Sequence, residues 1–409
     1  MDRTVTIQLH PTPEQAVALQ ETLRQFTEAF NAVCTYGWQH GEKNGVKLHH
    51  GTYRSTKEAC SGLVSDLLIQ ARVKATEALK SAFTWKAKHE ASYPKKVAKA
   101  LKQGKPAPKF KPVTCPHSLY CAIRYNLHTY TLNWERYTVR LSTSAGKQSI
   151  PFTVPAYSAK YYGGTVCTAD LCYRKGKWWL HVVVNVPEPV VEKSDKVIGV
   201  DLGLNRPAVT STRQFLGNRH WKEIDRRSFR LRRKLQSNGS KSAQRHLKKL
   251  SKRQQRFHRD CDHVLSKRIV QNATPGSTIV LENLSNIRET SKMGRGKQNK
   301  QVENKRRLHS WTFAQLYNFI AYKAQERGIA VVKIDPRHTS QTCSRCGYQA
   351  RNNRRSQSLF LCRTCGYCLN ADLNAAINIR EKYLASLARD GTPVLSGPQS
   401  SGLSSPFSD

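Results

Sequence analysis

A chain of 409 residues with 68 Lys and Arg against 28 Asp and Glu, formally +40, is long enough for two or three domains, and its surplus charge suits a polyanionic partner. Nucleic acid is the first reading, because neutralising phosphates releases counterions and gives affinity without sequence preference. An acidic membrane surface is disfavoured: no stretch approaches an 18-residue apolar span, and the basic segments are spread along the chain instead of flanking an anchor.

Thr4 to Leu9 alternates and predicts a first strand. Thr12-Pro13-Glu14-Gln15 then forms a capping box with proline at the first helical position. Leu19, Leu23, Phe26, Phe30 and Val33 recur at three- and four-residue steps and give the following helix one apolar face. A second helical stretch is expected from about Ser55 to Lys86, with Leu63, Leu67, Ala71 and Leu79 pointing inward. Between Tyr93 and Pro112 come seven lysines and four prolines, too broken for a helix and too charged for a core. That segment reads equally as a solvated loop or as an arm that tracks phosphates.

From Tyr120 to Val186 the period changes to two, in Tyr130, Leu132, Trp134, in Tyr137, Val139, Leu141, and in Trp178, Leu180, Val182, Val184. Short strands with tight turns predict a β-barrel or compact sheet. Trp134 and Trp179 are read as core residues ahead of base-stacking platforms, since buried strand aromatics are the commoner case. Pro187 to Ser194 is a linker, and the second half opens at Val197.

Two apolar runs of this half end in acids: Val197 to Asp201 and Thr278 to Glu282. Between them, Asp225 to Asn272 carries sixteen Lys or Arg and three acids. A stripe of Ala243, Leu247, Leu250, Phe257, Cys261, Val264 and Leu265 leaves Arg245, Lys248, Lys249, Lys252 and Arg256 facing outward, as on a nucleic-acid-binding helical hairpin. Ser291 to Arg307 is basic and glycine-containing, and is expected to be a mobile loop able to gate a site. A helix from Ser310 to Arg327 precedes a strand from Ile329 to Ile334, completing an α/β layer of the RNase H type.

Cys343 and Cys346 pair with Cys362 and Cys365 across fifteen residues, the spacing of a four-cysteine zinc ribbon. Gly347 and Gly366 follow the two pairs and permit the tight turns that aim two thiolates at one ion. Disulfides are the alternative, opposed by a reducing cytosol and the lack of a signal peptide. Cys368 reads as a packed small residue, and Cys34, Cys60, Cys115, Cys121, Cys167, Cys172 and Cys261 show no paired ligand spacing.

Asp372 opens Asp-Leu-Asn-Ala-Ala just beyond the ribbon. Taken singly, Asp201 and Glu282 are strand-end caps or turns, and Asp372 a helix N-cap. Taken together, acids at strand exits in a protein this basic look like ligands for hard cations such as magnesium, which accept a few carboxylates and keep their waters. Two such ions about 4 Å apart clamp a phosphodiester.

The runs 198–203, 280–284, 335–347 and 370–379 resemble the TnpB family, transposon-encoded RNA-guided nucleases related to the miniature type V CRISPR effectors. The resemblance is continuous in order from about 197 to 380. Before 190 it is looser, with strand, helical lobe and barrel in the order of the family's wedge and recognition regions and Lys109-Phe110-Lys111 similar to its basic-aromatic segment. It implies a multidomain α/β chain with a β-barrel, a helical lobe, and a RuvC-like (RNase H-type) nuclease domain holding an inserted zinc ribbon. The domains it implies are a first wedge strand at 1–10, a recognition lobe at 11–115, the rest of the wedge barrel at 116–190, and the nuclease domain at 195–337. The zinc ribbon follows at 338–369, the last nuclease segment at 370–383, and a disordered tail at 384–409.

Asp201, Glu282 and Asp372 would be the catalytic acids, holding two Mg2+, and Cys343, Cys346, Cys362 and Cys365 would hold one structural Zn2+. The implied partners are a guide RNA and double-stranded target DNA beside a short transposon-adjacent motif, with no membrane. The protein is expected to be a monomer and cytoplasmic, nucleoid-associated when bound to DNA. The alternatives are a guided DNA-binding repressor without cleavage, an unguided RuvC-like nuclease or a transposase.

Overall fold

The alternation of Val5, Ile7 and Leu9 with polar neighbours produces strand β1 (Asp2–Leu9), whose apolar side chains are 0–3% exposed in the computed structural model. The structure describes residues 1–285, 287 and 306–390, in two units, Met1–Pro187 and Glu188–Asp409. The boundary between the units falls at the start of the expected linker.

In the first unit β1 lies at the centre of a seven-stranded antiparallel sheet. The other strands are β2 (Ile123–Tyr125), β3 (Tyr130–Asn133), β4 (Thr138–Thr143), β5 (Gly146–Thr153), β6 (Thr165–Arg174) and β7 (Lys177–Asn185), in the order β2-β6-β7-β1-β5-β4-β3. The sheet comes close to closing on itself. Tyr125 on one edge strand donates its hydroxyl to the Ser142 carbonyl at 3.1 Å, and Tyr130 on the other donates to the Cys167 carbonyl at 2.9 Å. Trp178, Leu180, Val182 and Val184 all point into the core, as the period-two pattern predicts. Trp134 is half-buried, stacked on Tyr162 at 4.5 Å, and Trp179 is half-buried too, so both pack more loosely than core residues.

The helical lobe begins as expected with α1 (Pro13–Gln39), capped by Thr12 and Gln15, and its five predicted apolar residues are buried. The next stretch differs from expectation in two ways. What reads as one helix from 55 to 86 is α2 (Gly45–Ala59) and α3 (Ser65–Leu101), separated at residues 60–64. The side chain of Asn44 caps α2 through Val46 and Lys47, a start signal that its polar, histidine-rich sequence disguises.

Helix α3 also runs through Pro94 and takes up half of the Lys/Pro segment expected to be non-helical. Leu67, Leu68, Ala71, Ala75 and Leu79 anchor its first half in the core. Its second half is lined by the returning chain, where Phe110 packs on His89 at 5.2 Å and on Tyr93 at 4.9 Å. Tyr93 also donates to the Pro108 carbonyl at 3.0 Å. These contacts offset the hydrogen bond that proline removes.

The second unit is built on a five-stranded mixed sheet of β8 (Val197–Asp201), β9 (Ala208–Thr210), β10 (Phe215–Leu216), β11 (Thr278–Glu282) and β12 (Ala330–Ile334). Its order is β10-β9-β8-β11-β12, with β8, β11 and β12 parallel and β9 and β10 antiparallel. Two helices follow β10, α4 (Arg219–Asn238) and α5 (Lys241–Gln271), and α6 (Phe313–Gln325) precedes β12. Ile198 and Val200 face Leu265, Ile269, Leu316 and Ile320 of α5 and α6 in one buried cluster.

Gly199, between them, turns to the opposite face. There it meets the helix α7 (Ala371–Asp390) so closely that a Cβ would collide with the Ala376 carbonyl and the Arg380 backbone nitrogen. Gly199→Ala is therefore expected to cost about 1–3 kcal/mol, or more because the obstacle is backbone. The check is thermal unfolding, with a fall in Tm of several degrees expected.

The basic glycine-containing loop expected from Ser291 to Arg307 lies outside the described residues as far as 305, as does the tail from 391. The expected end of order at 383 is too early, because α7 continues to Asp390. Among the described residues no helix is long and apolar enough to cross a membrane.

Candidate active site and metal centre

Parallel pairing of β8 with β11 sets Leu281 opposite Val200, so the acids that end the two strands, Asp201 and Glu282, stand side by side at the carboxyl edge of the sheet. Ligands bind open α/β sheets at that edge. The third acid arrives by packing. Helix α7 lies on β8 across Gly199 and presents Asp372, 8% exposed, from its first turn.

The N-cap reading of Asp372 is not what the structure shows. Asn370 is the cap, its Oδ1 accepting from the Asp372 and Leu373 backbone nitrogens at 3.1 and 3.2 Å, which leaves the Asp372 carboxylate for other partners. All three acids meet electrostatically at Asp201. Burial pushes its carboxyl well above the usual range, and the charges of Glu282 and then Asp372 push it further, with Arg354 opposing them. Three carboxylates crowded at a half-buried edge favour either a proton or a cation.

Two residues missed by sequence reasoning complete the cluster. Thr339 donates its hydroxyl to Glu282 Oε1 at 2.6 Å, and Arg354 donates to Asp372 Oδ1 at 2.9 Å. Burial raises Glu282, while the Thr339 bond opposes that rise. Both residues belong to the cysteine-rich segment. Thr339 lies in the run leading to its first cysteine, and Arg354 in the basic stretch Arg351 to Arg355. That stretch, and the hydroxyls inside an otherwise basic motif, were the only signals available.

The four cysteines come together as their spacing predicts, with all four sulfurs within 4.8 Å of one another. Cys343 Sγ is 3.7 Å from Cys365 Sγ, and Cys346 Sγ is 3.6 Å from Cys362 Sγ. A disulfide would need about 2.05 Å. A tetrahedral ion with metal–sulfur bonds of ~2.3 Å has edges of about 3.8 Å, so the donor set and its dimensions fit a metal ion such as zinc.

Two equivalent knuckles create this geometry. Gly347 N donates to the Cys343 carbonyl and Gly366 N to the Cys362 carbonyl, at 2.9 and 3.2 Å. Both glycines have positive φ, 77° and 68°, which side chains resist. The hairpin of β13 (Leu359–Leu361) and β14 (Cys368–Asn370) carries the second knuckle. Cys368 proves exposed, not packed, and lies outside the four-sulfur group. The seven remaining cysteines are free thiols.

The ribbon is stapled to α7 by two buried asparagines. Asn374 donates to the Thr342 carbonyl at 2.8 Å and accepts from Ser344 N at 3.0 Å. Asn378 donates to the Thr339 and Thr342 carbonyls at 2.8 and 2.7 Å. The helix that supplies Asp372 thus holds the segment that supplies Thr339.

On the hairpin, Ala243, Leu250 and Leu265 are buried, and Leu247, Phe257, Cys261 and Val264 are half-buried, as the stripe predicts. Arg245, Lys248, Lys249, Lys252 and Arg256 are all exposed on α5, away from the acids' strands in sequence and without carboxylate partners among the described residues.

Residues 181–288 match the model of the OrfB_IS605 probable transposase family, and residues 313–379 match the Cas12f1-like TNB domain. In sequence the chain is similar to the TnpB-like and Cas12f proteins. It is 34% identical over 226 residues to the CRISPR-associated endodeoxyribonuclease Cas12f1 of Sulfoacidibacillus thermotolerans, covering 50% of either chain. It is 30% identical over 257 residues to the putative RNA-guided DNA endonuclease InsQ of Escherichia coli K12, covering 58% of this chain and 62% of that protein. The TnpB-like protein MJ0751 of Methanocaldococcus jannaschii is 34% identical over 138 residues, which are 33% of this chain and 46% of that one.

The chain thus spans about half the length of the Cas12f1 relative. In fold it is similar to the protein of a Cas12f1–sgRNA–target DNA complex, with a TM-score of 0.55 and 17% identity over 90% of this chain and 83% of that one.

Proposed function

We propose that this chain is an RNA-guided DNA endonuclease whose second unit is a RuvC-like, RNase H-type nuclease domain. The observation that carries the proposal is that Asp201, at the carboxyl edge of the sheet beside Glu282, is acted on by the charges of both Glu282 and Asp372, in a chain of charge +40 whose relatives bear endonuclease names. The substrate would be double-stranded DNA flanked by a short transposon-adjacent motif. Base pairing with a guide would supply the choice of sequence, while the protein holds the heteroduplex by its backbone. The protein would work in the cytoplasm, on nucleoid DNA.

The crowding of negative charge at Asp201 suits Mg2+, with the three carboxylates as ligands, and the four-sulfur site suits one Zn2+. Paired Mg2+ ions, when bound, would stabilise the attacking and leaving oxygens of a phosphodiester. The rest of the task falls to the chain itself. Thr339 would hold Oε1 of Glu282 and so orient its carboxylate, and Arg354 sets its guanidinium, a fork suited to phosphate oxygens, against Asp372. Arg245, Lys248, Lys249, Lys252 and Arg256 would bear on the nucleic-acid backbone through charge alone.

The test is to purify the full chain, extract its nucleic acid and sequence it. A homogeneous RNA that is required for cutting a matched DNA supports guidance. Cutting that persists after the RNA is removed would point to an unguided nuclease, and end joining to a transposase. RNA-dependent DNA binding without cutting would leave a guided repressor.

Thr339→Val is expected to raise the Mg2+ concentration for half-maximal cutting about tenfold, because a hydrogen bond to a charged group is worth about 1.5–3 kcal/mol. Thr339→Ser should restore it. A Mg2+ titration of cleavage rate for the three proteins checks this.

A further inference from the structure

At the root of the hairpin, α4 has no fully buried residue, although Trp221, Ile224, Asp225, Ser228 and Phe229 form a half-buried stripe at helical spacing. The stripe borders a cavity of about 200 Å³ lined by residues from 203–207, 221–226, 257–265 and 306–316. The cavity is distinct in composition from the acid cluster. Trp221, Phe257 and Trp311 supply aromatic surface, and Lys222, Arg226, Arg306 and Arg307 supply positive charge.

The acids in the wall are already engaged. Asp225 accepts from Gln254 at 2.9 Å and lies 3.5 Å from His258 and 3.4 Å from Arg306, and Asp262 accepts the Thr312 hydroxyl at 2.6 Å. Lys222 and Arg226 have no carboxylate partner among the described residues. Lys222 is half-buried, and burial followed by the charges of Arg307, Arg206, Arg226 and Arg219 pulls its ammonium below its ordinary range. An anion seated there would relieve that repulsion.

Size narrows the ligand. The volume is below the ~300–1,000 Å³ of sites for drug-sized molecules, a size that suits one planar ring system. Aromatic walls beside unpaired cations are the chemistry of base stacking joined to phosphate capture.

We propose that this cavity binds a single nucleotide, with the base among Trp221, Phe257 and Trp311 and the phosphate against Lys222 and Arg226. The ligand chemistry is a nucleoside phosphate, and its source is either one nucleotide extruded from a bound strand or a free nucleotide. The site does not depend on the assignment of the acids, because it requires binding and not cleavage.

The test uses the full-length chain with two probes. The first is a set of single-stranded oligodeoxynucleotides carrying 4-thiothymidine at one position each, irradiated on the protein and mapped by mass spectrometry. Cross-links from a labelled position to the peptides bearing Trp221, Phe257 or Trp311 are expected. Their yield should fall on the order of tenfold in Lys222→Gln/Arg226→Gln, with an unchanged melting curve as the control that the double variant folds.

The second probe is AMP, followed by tryptophan fluorescence. Saturable quenching that the double variant abolishes, without strand cross-links, assigns the site to free nucleotide. Cross-links without quenching assign it to a strand. The proposal is overturned if cross-links map only to the exposed face around Arg245 to Arg256 and AMP leaves the fluorescence unchanged, or if the double variant matches the parent protein in both measurements.

Discussion

Asp201→Ala is expected to reduce DNA cutting by at least about a thousandfold while leaving guide and target binding unchanged. The size follows from the cation chemistry that the acid would support. Charge stabilisation by a bound divalent ion is worth several kcal/mol, and every ~1.4 kcal/mol is a factor of ten in rate. Binding should survive because the long basic surfaces of the hairpin lie on α5, not on the strand end.

The variant should also fold well. Removing a carboxyl that burial and two neighbouring charges already strain relieves repulsion, so the melting temperature should hold or rise. Cleavage of a matched plasmid, measured beside filter binding and thermal unfolding, separates the outcomes. Undiminished cutting would remove Asp201 from the site, and loss of binding together with cutting would mean that the acid serves the fold.

The features legible in the sequence were those written in short spacings. Two Cys-x-x-Cys pairs with following glycines predict the four-sulfur site because each knuckle is closed within five residues. The strand-end acids were legible because an apolar run ending in an acid is unusual in so basic a chain. Their convergence is a matter of register and packing: the offset that pairs Val200 with Leu281, and the room at Gly199 for α7. Neither can be read from local pattern.

Arg354 and Thr339 escaped for the same reason, since each touches an acid 18 or 57 residues away. The start of α2 and the passage of α3 through Pro94 were lost to local composition, where tertiary contacts of Phe110 and the Asn44 cap outweigh propensity.

Removing the metal from the four-cysteine site should disable the acids without touching them. Structural zinc contributes on the order of 10–16 kcal/mol of apparent binding free energy to small domains, and the ribbon's own apolar cluster is only Cys343, Phe360, Cys362 and Ala371 with Tyr367 beside it. If the parent chain carries one zinc, Cys343→Ser should lose it, measured by plasma mass spectrometry, and unfold the ribbon locally. The ribbon carries Arg354 to Asp372 and Thr339 to Glu282, and Asn374 and Asn378 tie it to α7.

Its loss should therefore lower cutting at least as much as Thr339→Val and Arg354→Ala combined. The first unit should melt unchanged, because Val5, Leu19, Phe26, Leu141 and Val182 belong to a separate core. A variant that keeps one zinc per chain, or that loses zinc and cuts at the parent rate, would break the link between the ribbon and the acids.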